Sequence, residues 1–350
     1  MRRALKWVGE RFLALEKKPL AVILVAAGAT VGVAAALGSY AGWPHVLHRV
    51  YARHSWSWLA VCLLGEFVAY FGYVLTVRDT ARVEGGSELD LADSVRTVVA
   101  GFGVFAATRG SGGFAVDYWS LRRAGAGKRD AVSRVLALGL LEYAMLGIAA
   151  LAASAALYFR LDGHASDGTT LPSLLIVPCF VFAFWVTSPK RVKRLSRAGR
   201  RSGRFRTTFA NWVAGAGTVR SLVTNPREHG LGLLGSGLYW GGDILCLWAA
   251  LQLVGGRHIT VAALVLAYST GYVLTRRALP AGGAGLVEIA LTFALVGMGV
   301  RFTPALLGVI AYRLFNFWLP IIPALLLLPA IRELRGRFQH EQTAKARHAG

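Results

Sequence analysis

Six long apolar runs, with Lys and Arg gathered between them, constrain this chain more than any other feature. They are Leu20–Ala41, Trp56–Val77, Ala131–Phe159, Leu171–Ser188, Gly230–Val254 and Thr303–Ala330. A helix rises about 1.5 Å per residue, so about 20 apolar residues cross a hydrocarbon layer roughly 30 Å thick. The first run is longer than the apolar region of a signal peptide and reads as a retained span. Shorter apolar pieces at Ser94–Thr108, Ile259–Thr275 and Ala284–Gly299 are the length of segments that enter without crossing.

Composition agrees. Of 350 residues 55% are apolar and 16% charged, and mean hydropathy is +0.50. A soluble domain of this size carries more polar surface. The net charge of +21 sits between apolar runs rather than on one soluble face, which argues against nucleic acid and for an anionic leaflet as electrostatic partner.

The charge also orients the chain. Met1–Lys18 carries six Lys/Arg, Lys190–Arg206 nine, and Arg332–Arg347 five, whereas Arg160–Leu171 has one Arg and two Asp. The positive-inside rule then predicts cytoplasmic N and C termini in a bacterial inner membrane, with 160–171 outside. The expected organisation is a basic segment 1–19, a membrane domain 20–331 containing a cytoplasmic basic loop 189–229, of which Lys190–Arg206 reads as solvated, and a tail 332–350.

Two glycine-rich interruptions stand out. One is Thr108-Arg-Gly-Ser-Gly-Gly113, followed by Asp117. The other is Arg276-Arg-Ala-Leu-Pro280-Ala-Gly-Gly283, followed by Glu288. Gly113 and Gly283 are 170 residues apart, and the shared layout reads as a weak internal duplication. Backbone groups freed at such breaks must be satisfied by protein or by cavity water, so breaks tend to line cavities. If Ser94–Arg109 with Phe114–Ala126, and Ile259–Thr275 with Ala284–Gly299, are re-entrant hairpins from opposite faces, the halves form an inverted repeat. The predicted fold is an all-α polytopic membrane protein with about six full spans plus two such hairpins, or eight spans.

Ionisable residues inside apolar runs cost about 2.5–3.5 kcal/mol each at the bilayer centre and are expected to face the bundle interior. Glu66, Glu142, Asp243 and Glu288 are such residues, as are Arg134 and Arg313 near span ends. Helical spacing puts Arg134 with Glu142, and Arg313 with Asn316, on shared faces directed at one polar cavity. Arginine suits phosphate because its planar fork donates two parallel hydrogen bonds. The candidate headgroup site is therefore Arg109, Gly112, Gly113, Asp117, Glu142, Asp243, Arg276, Arg277, Pro280, Gly282, Gly283, Glu288 and Arg313. Cys62, Cys179 and Cys246 lie apart in apolar runs, and His45, His48 and His54 lack ligand spacing, so no metal, cofactor or disulfide is expected. No nucleophile set or nucleotide loop points to an enzyme.

The stretch Gly110–Gly125 with Ala131–Glu142, and the stretch Leu279–Glu288 with Ala311–Pro320, resemble the two signature regions of the lysylphosphatidylglycerol synthase transmembrane family, also called flippase-like proteins. The resemblance spans about residues 20 to 332. It implies a membrane domain handling anionic or aminoacylated phospholipids, and it falls on Gly112, Gly113, Pro280, Gly282, Gly283, Glu288 and Arg313. Asp117 stands where the family has Glu, and no Pro precedes the first glycines. After residue 331 only a short tail follows, so a soluble synthase domain is not expected. The function expected is lipid translocation without an enzymatic step. The alternative is a non-transporting scaffold for a lipid-modifying or envelope-assembly enzyme.

Overall fold

The computed structural model describes residues 19–52, 57–107, 112–163, 170, 176–188, 191, 204–256, 259–272 and 283–326, which contain helices and no strand. The protein is an all-α polytopic membrane protein. A first helix, α1 (Pro19–Ala41), is followed by the short amphipathic α2 (Trp43–Ala52). Then come α3 (Ser57–Arg82), α4 (Leu91–Ala107), α5 (Gly112–Arg123) and α6 (Lys128–Tyr158). Next are α7 (Ile176–Val186), α8 (Arg204–Thr224) and α9 (Pro226–Leu253). The last are α10 (Val261–Tyr272), α11 (Leu286–Gly297), α12 (Phe302–Arg313) and α13 (Leu319–Leu326), the final two joined by a π turn at Leu314–Trp318.

Four helices combine spanning length with sufficient apolarity: Ile23–Ala41, Ser57–Gly85, Lys128–Tyr158 and Phe302–Pro323. The 28-residue α9 is long enough to cross as well, though it carries six glycines and Asp243. By contrast α11 has 12 residues, about 18 Å of helix, and cannot cross a roughly 30 Å layer. It packs back against α10, and α5 packs back against α4, where Thr97 Oγ1 donates to Ser120 Oγ at 2.7 Å. Thus α4 with α5, and α10 with α11, pack as pairs, joined in sequence through the two interruptions.

The centre of the molecule is a glycine seam between α3 and α9. A Cβ added to Gly65 would lie 2.7 Å from the Gly242 carbonyl oxygen, and one on Gly72 would lie 2.5 Å from that of Gly235. The relation is reciprocal, because Gly242 abuts the Gly65 carbonyl and Gly235 that of Gly72. Small residues let membrane helices approach until their backbones touch. As one helix advances from Gly65 to Gly72 the other retreats from Gly242 to Gly235, so the two are antiparallel.

The same residues disclose a symmetry. A shift of 170 carries Gly65 onto Gly235 and Gly72 onto Gly242. It also carries Cys62 onto Gly232 and Thr76 onto Cys246, and the matching bonds exist. Cys62 Sγ reaches the Cys246 carbonyl at 3.6 Å, and Thr76 Oγ1 the Gly232 carbonyl at 3.3 Å. Equivalent helices that pair antiparallel make the two halves an inverted repeat, α3–α6 against α9–α13. Hairpin α4–α5 enters from the face where α3 ends, and hairpin α10–α11 from the face where α9 ends. These are opposite faces.

Residues 204–224 of the basic segment form α8, which buries Ala210, Val213 and Leu222. A Cβ on Gly215 would come 2.8 Å from the Ser133 carbonyl of α6, so α8 lies directly against that span. Arg134 does not face a cavity with Glu142. Its guanidinium donates to the carbonyls of Thr80 at 2.8 Å and Val83 at 2.9 Å, and to Asp130 at 2.9 Å. The end of α3 presents unsatisfied, partly negative carbonyls, a natural seat for a buried cation.

Gly72→Ala should therefore destabilise the protein by about 1–3 kcal/mol, the usual cost of overpacking. Gly28→Ala, with nothing within 4 Å of the new methyl, should leave the unfolding temperature in detergent unchanged or slightly raised. Equal effects of the two substitutions would contradict the seam.

Candidate functional site

A partly open cavity lies between hairpin α4–α5 and the α3–α9 seam, with about 680 Å³ of space not filled by atoms, its mouth included. Gly101 and Gly113 form part of its wall, so the first glycine interruption opens directly onto it. Three carboxylates line it, Glu66 from α3, Asp117 from α5 and Asp243 from α9, together with the rings of Tyr70, Tyr73, Phe102, Phe114 and Tyr239. Among the described lining residues none is Lys or Arg.

Asp243 is wholly buried and heavily supported. Tyr312 Oη donates to its Oδ1 at 2.8 Å, Asn316 Nδ2 to the same oxygen at 2.7 Å, and Tyr268 Oη to Oδ2 in a short bond. Those donors come from α12, the π turn and α10, so one carboxylate ties α9 to the rest of the second repeat. Asp117 accepts a longer bond from Tyr73 at 3.4 Å. A shift of 170 carries Tyr73 onto Asp243. Each half thus contains an acid held by a phenol, although the phenols stand at unrelated positions.

The second interruption is built differently. Glu288 caps the start of α11, its Oε2 accepting the Gly285 N–H at 2.7 Å, and Oε1 accepts Arg313 Nε at 3.0 Å and Thr30 Oγ1 at 3.3 Å. Gly283 and Gly285 have φ of +68° and +89°, a left-handed backbone that a side chain would strain. Glu288 and Arg313 are each 1% exposed, and the guanidinium also lies 4.4 Å from the Phe317 ring centre. This end is closely packed, and α1 is fastened to it through Thr30.

Of the thirteen expected residues, Gly113, Asp117 and Asp243 come together at the cavity, with Gly112 beginning α5 beside it. Glu288 and Arg313 form the separate clasp, and Gly283 lies just before the helix that Glu288 caps. Glu142 is buried on α6, its carbonyl accepting Trp240 Nε1 at 2.8 Å, and is not part of the cavity wall. Arg109, Arg276, Arg277, Pro280 and Gly282 lie outside the described residues.

Arg313 and Asn316 do not share a target, contrary to their spacing in an ideal helix. The π turn begins between them and widens the helix, so Arg313 turns to Glu288 while Asn316 joins Tyr312 on Asp243. The sequence reading left Tyr70, Tyr73, Tyr239, Tyr268 and Tyr312 out of the site. Aligning the halves at the 170-residue shift would have set Tyr73 against Asp243 and drawn attention to the phenols.

The family model for the lysylphosphatidylglycerol synthase transmembrane region matches residues 20–324. The chain belongs to that family. None of the curated proteins matches the chain. The family's domain coincides with the two repeats plus α1, the helix that Thr30 fastens to Glu288. It identifies a multi-pass membrane protein of lipid-related function.

Removing one partner of a buried ion pair strands the other charge. Arg313→Ala should cost about 3–5 kcal/mol of stability, and the double change Arg313→Met with Glu288→Leu should recover much of that. Denaturant unfolding in detergent measures both. A single variant as stable as the parent would contradict the clasp.

Proposed function

We propose that the protein translocates phospholipids whose headgroup carries an ammonium, the headgroup passing through the cavity while the acyl chains remain in the bilayer. The observation that carries this reading is the grouping of Glu66, Asp117 and Asp243 with aromatic rings at the first glycine interruption. Carboxylates attract an ammonium by charge, and aromatic faces attract it through their quadrupole, more strongly where water is scarce. An aminoacylated headgroup meets those terms better than a purely anionic one. In this reading phosphate recognition falls to Arg109, Arg276 and Arg277, which belong in sequence to the two glycine interruptions. Membership of a lipid-related family supports the same reading.

By the positive-inside rule the membrane is the bacterial inner membrane, with both termini cytoplasmic. Hairpin α4–α5 then enters from the cytoplasm.

The test is transbilayer movement of fluorescent lipids in proteoliposomes, comparing an aminoacylated headgroup with phosphatidylglycerol. Asp243→Asn and Asp117→Asn should each slow the aminoacylated lipid about tenfold or more, since a charge-assisted hydrogen bond contributes about 1.5–3 kcal/mol. Movement at the parental rate in both variants would remove the proposal.

A further inference from the structure

The last turns of α3 hold two arginines that neither the cavity nor the seam uses. Arg78 and Arg82 are half-buried, and the Nε of each is sealed from solvent. Among the described residues neither makes a hydrogen bond or an ion pair. Other arginines at the same end of the bundle have acceptors: Arg134 donates to the carbonyls of Thr80 and Val83, and Arg122 to that of Ala126. A guanidinium partly withdrawn from water without an acceptor is costly, and an anion brought from outside offsets that cost.

Helical spacing indicates where such an anion comes from. Leu64, Phe67, Phe71, Leu75, Arg78 and Arg82 recur every three or four residues and form one stripe along α3. Leu64, Phe67 and Phe71 are 55%, 70% and 46% exposed, so the stripe faces the bilayer. No member of it lines the cavity, whose wall on α3 is Glu66, Ala69, Tyr70 and Tyr73. The helix between Phe67 and Arg78 is about 17 Å long, roughly half the thickness of a hydrocarbon layer. The stripe therefore matches one leaflet, with rings at the depth of acyl chains and cations at the depth of headgroups.

The other repeat supplies a comparison. The 170-residue shift carries Arg78 and Arg82 onto Trp248 and Gln252, and Phe67 and Phe71 onto Gly237 and Gly241. A helix in this place in the fold thus requires neither the cations nor the rings, and only one of the two equivalent helices has them.

We propose that Arg78 and Arg82 bind the phosphodiester of an anionic phospholipid in the leaflet at the C-terminal end of α3, with an acyl chain laid along Phe71 and Phe67. In the orientation given above this is the cytoplasmic leaflet. Cβ atoms one helical turn apart are about 5–6 Å from each other, so two planar forks can reach both free oxygens of one phosphodiester. Two positive charges favour a headgroup of net negative charge and repel the ammonium that the acidic cavity attracts. The surface and the cavity select opposite lipids, and the surface site holds whether or not the protein translocates.

The test measures binding of phosphatidylglycerol and phosphatidylethanolamine to the full chain in detergent by native mass spectrometry, with inorganic phosphate as competitor. Arg78→Gln with Arg82→Gln should weaken phosphatidylglycerol binding about tenfold or more, through the loss of charge-assisted hydrogen bonds. Arg123→Gln with Arg129→Gln removes the same charge from exposed positions at that end of the bundle and should change binding less than about twofold. The parent should bind phosphatidylethanolamine more weakly than phosphatidylglycerol, and phosphate should displace neither. Equal loss in the two double variants would reduce the effect to net charge and overturn the site. Parental affinity in the Arg78/Arg82 variant, equal binding of the two lipids, or displacement by phosphate would overturn it as well. Glutamine already stands at 252, the equivalent of position 82, so the fold should accept it. If that variant does not fold, the parent protein decides, cross-linked by phosphatidylglycerol carrying a photoreactive acyl chain. Adducts concentrated on Leu64–Leu75 support the site, and adducts spread evenly over the lipid-facing helices overturn it.

Discussion

The contact on which the rest depends is the meeting of α3 and α9 through four glycines. Within a bilayer the hydrophobic effect does not press helices together, so association relies on close packing and hydrogen bonds. Gly65, Gly72, Gly235 and Gly242 supply the packing, and Cys62 and Thr76 add side-chain bonds to carbonyls across the interface. The seam sets the two halves in opposite orientation, and with it the faces from which the hairpins enter. It also brings Glu66 and Asp243 to one cavity from separate repeats.

Among the described residues buried charge is met in several ways, and three of them contrast clearly. Arg134 is spent on helix-end carbonyls. Glu288 and Arg313 satisfy each other in a closely packed clasp that also holds α1. Asp243 and Asp117 are held by phenols and an amide yet still line open space. A hydroxyl or an amide leaves a carboxylate its charge, whereas a guanidinium neutralises it. Choice of partner thus separates structural acids from those able to receive a cation.

Much of this was legible from residues alone. Long apolar runs marked the four helices long and apolar enough to cross, and the doubled glycines marked where α4 meets α5 and α10 meets α11 in sequence. The contribution of Asp117 and Asp243 to a cavity was expected too. The fate of Arg134 was hidden because spacing along one helix does not reveal which neighbouring helix ends beside it. The π turn was hidden because nothing in Leu314–Trp318 announces one extra residue per turn, and it parted Arg313 from Asn316.

The central claim is that the first glycine interruption borders a wet acidic chamber that receives a lipid's ammonium. Cryo-electron microscopy of the protein in nanodiscs containing an aminoacylated phospholipid addresses it most directly. Headgroup density within hydrogen-bonding distance of Asp117 and Asp243, with acyl chains leaving toward the bilayer, is the result the account predicts. A chamber collapsed onto its own aromatic side chains, with lipid only around the perimeter of the bundle, would contradict it.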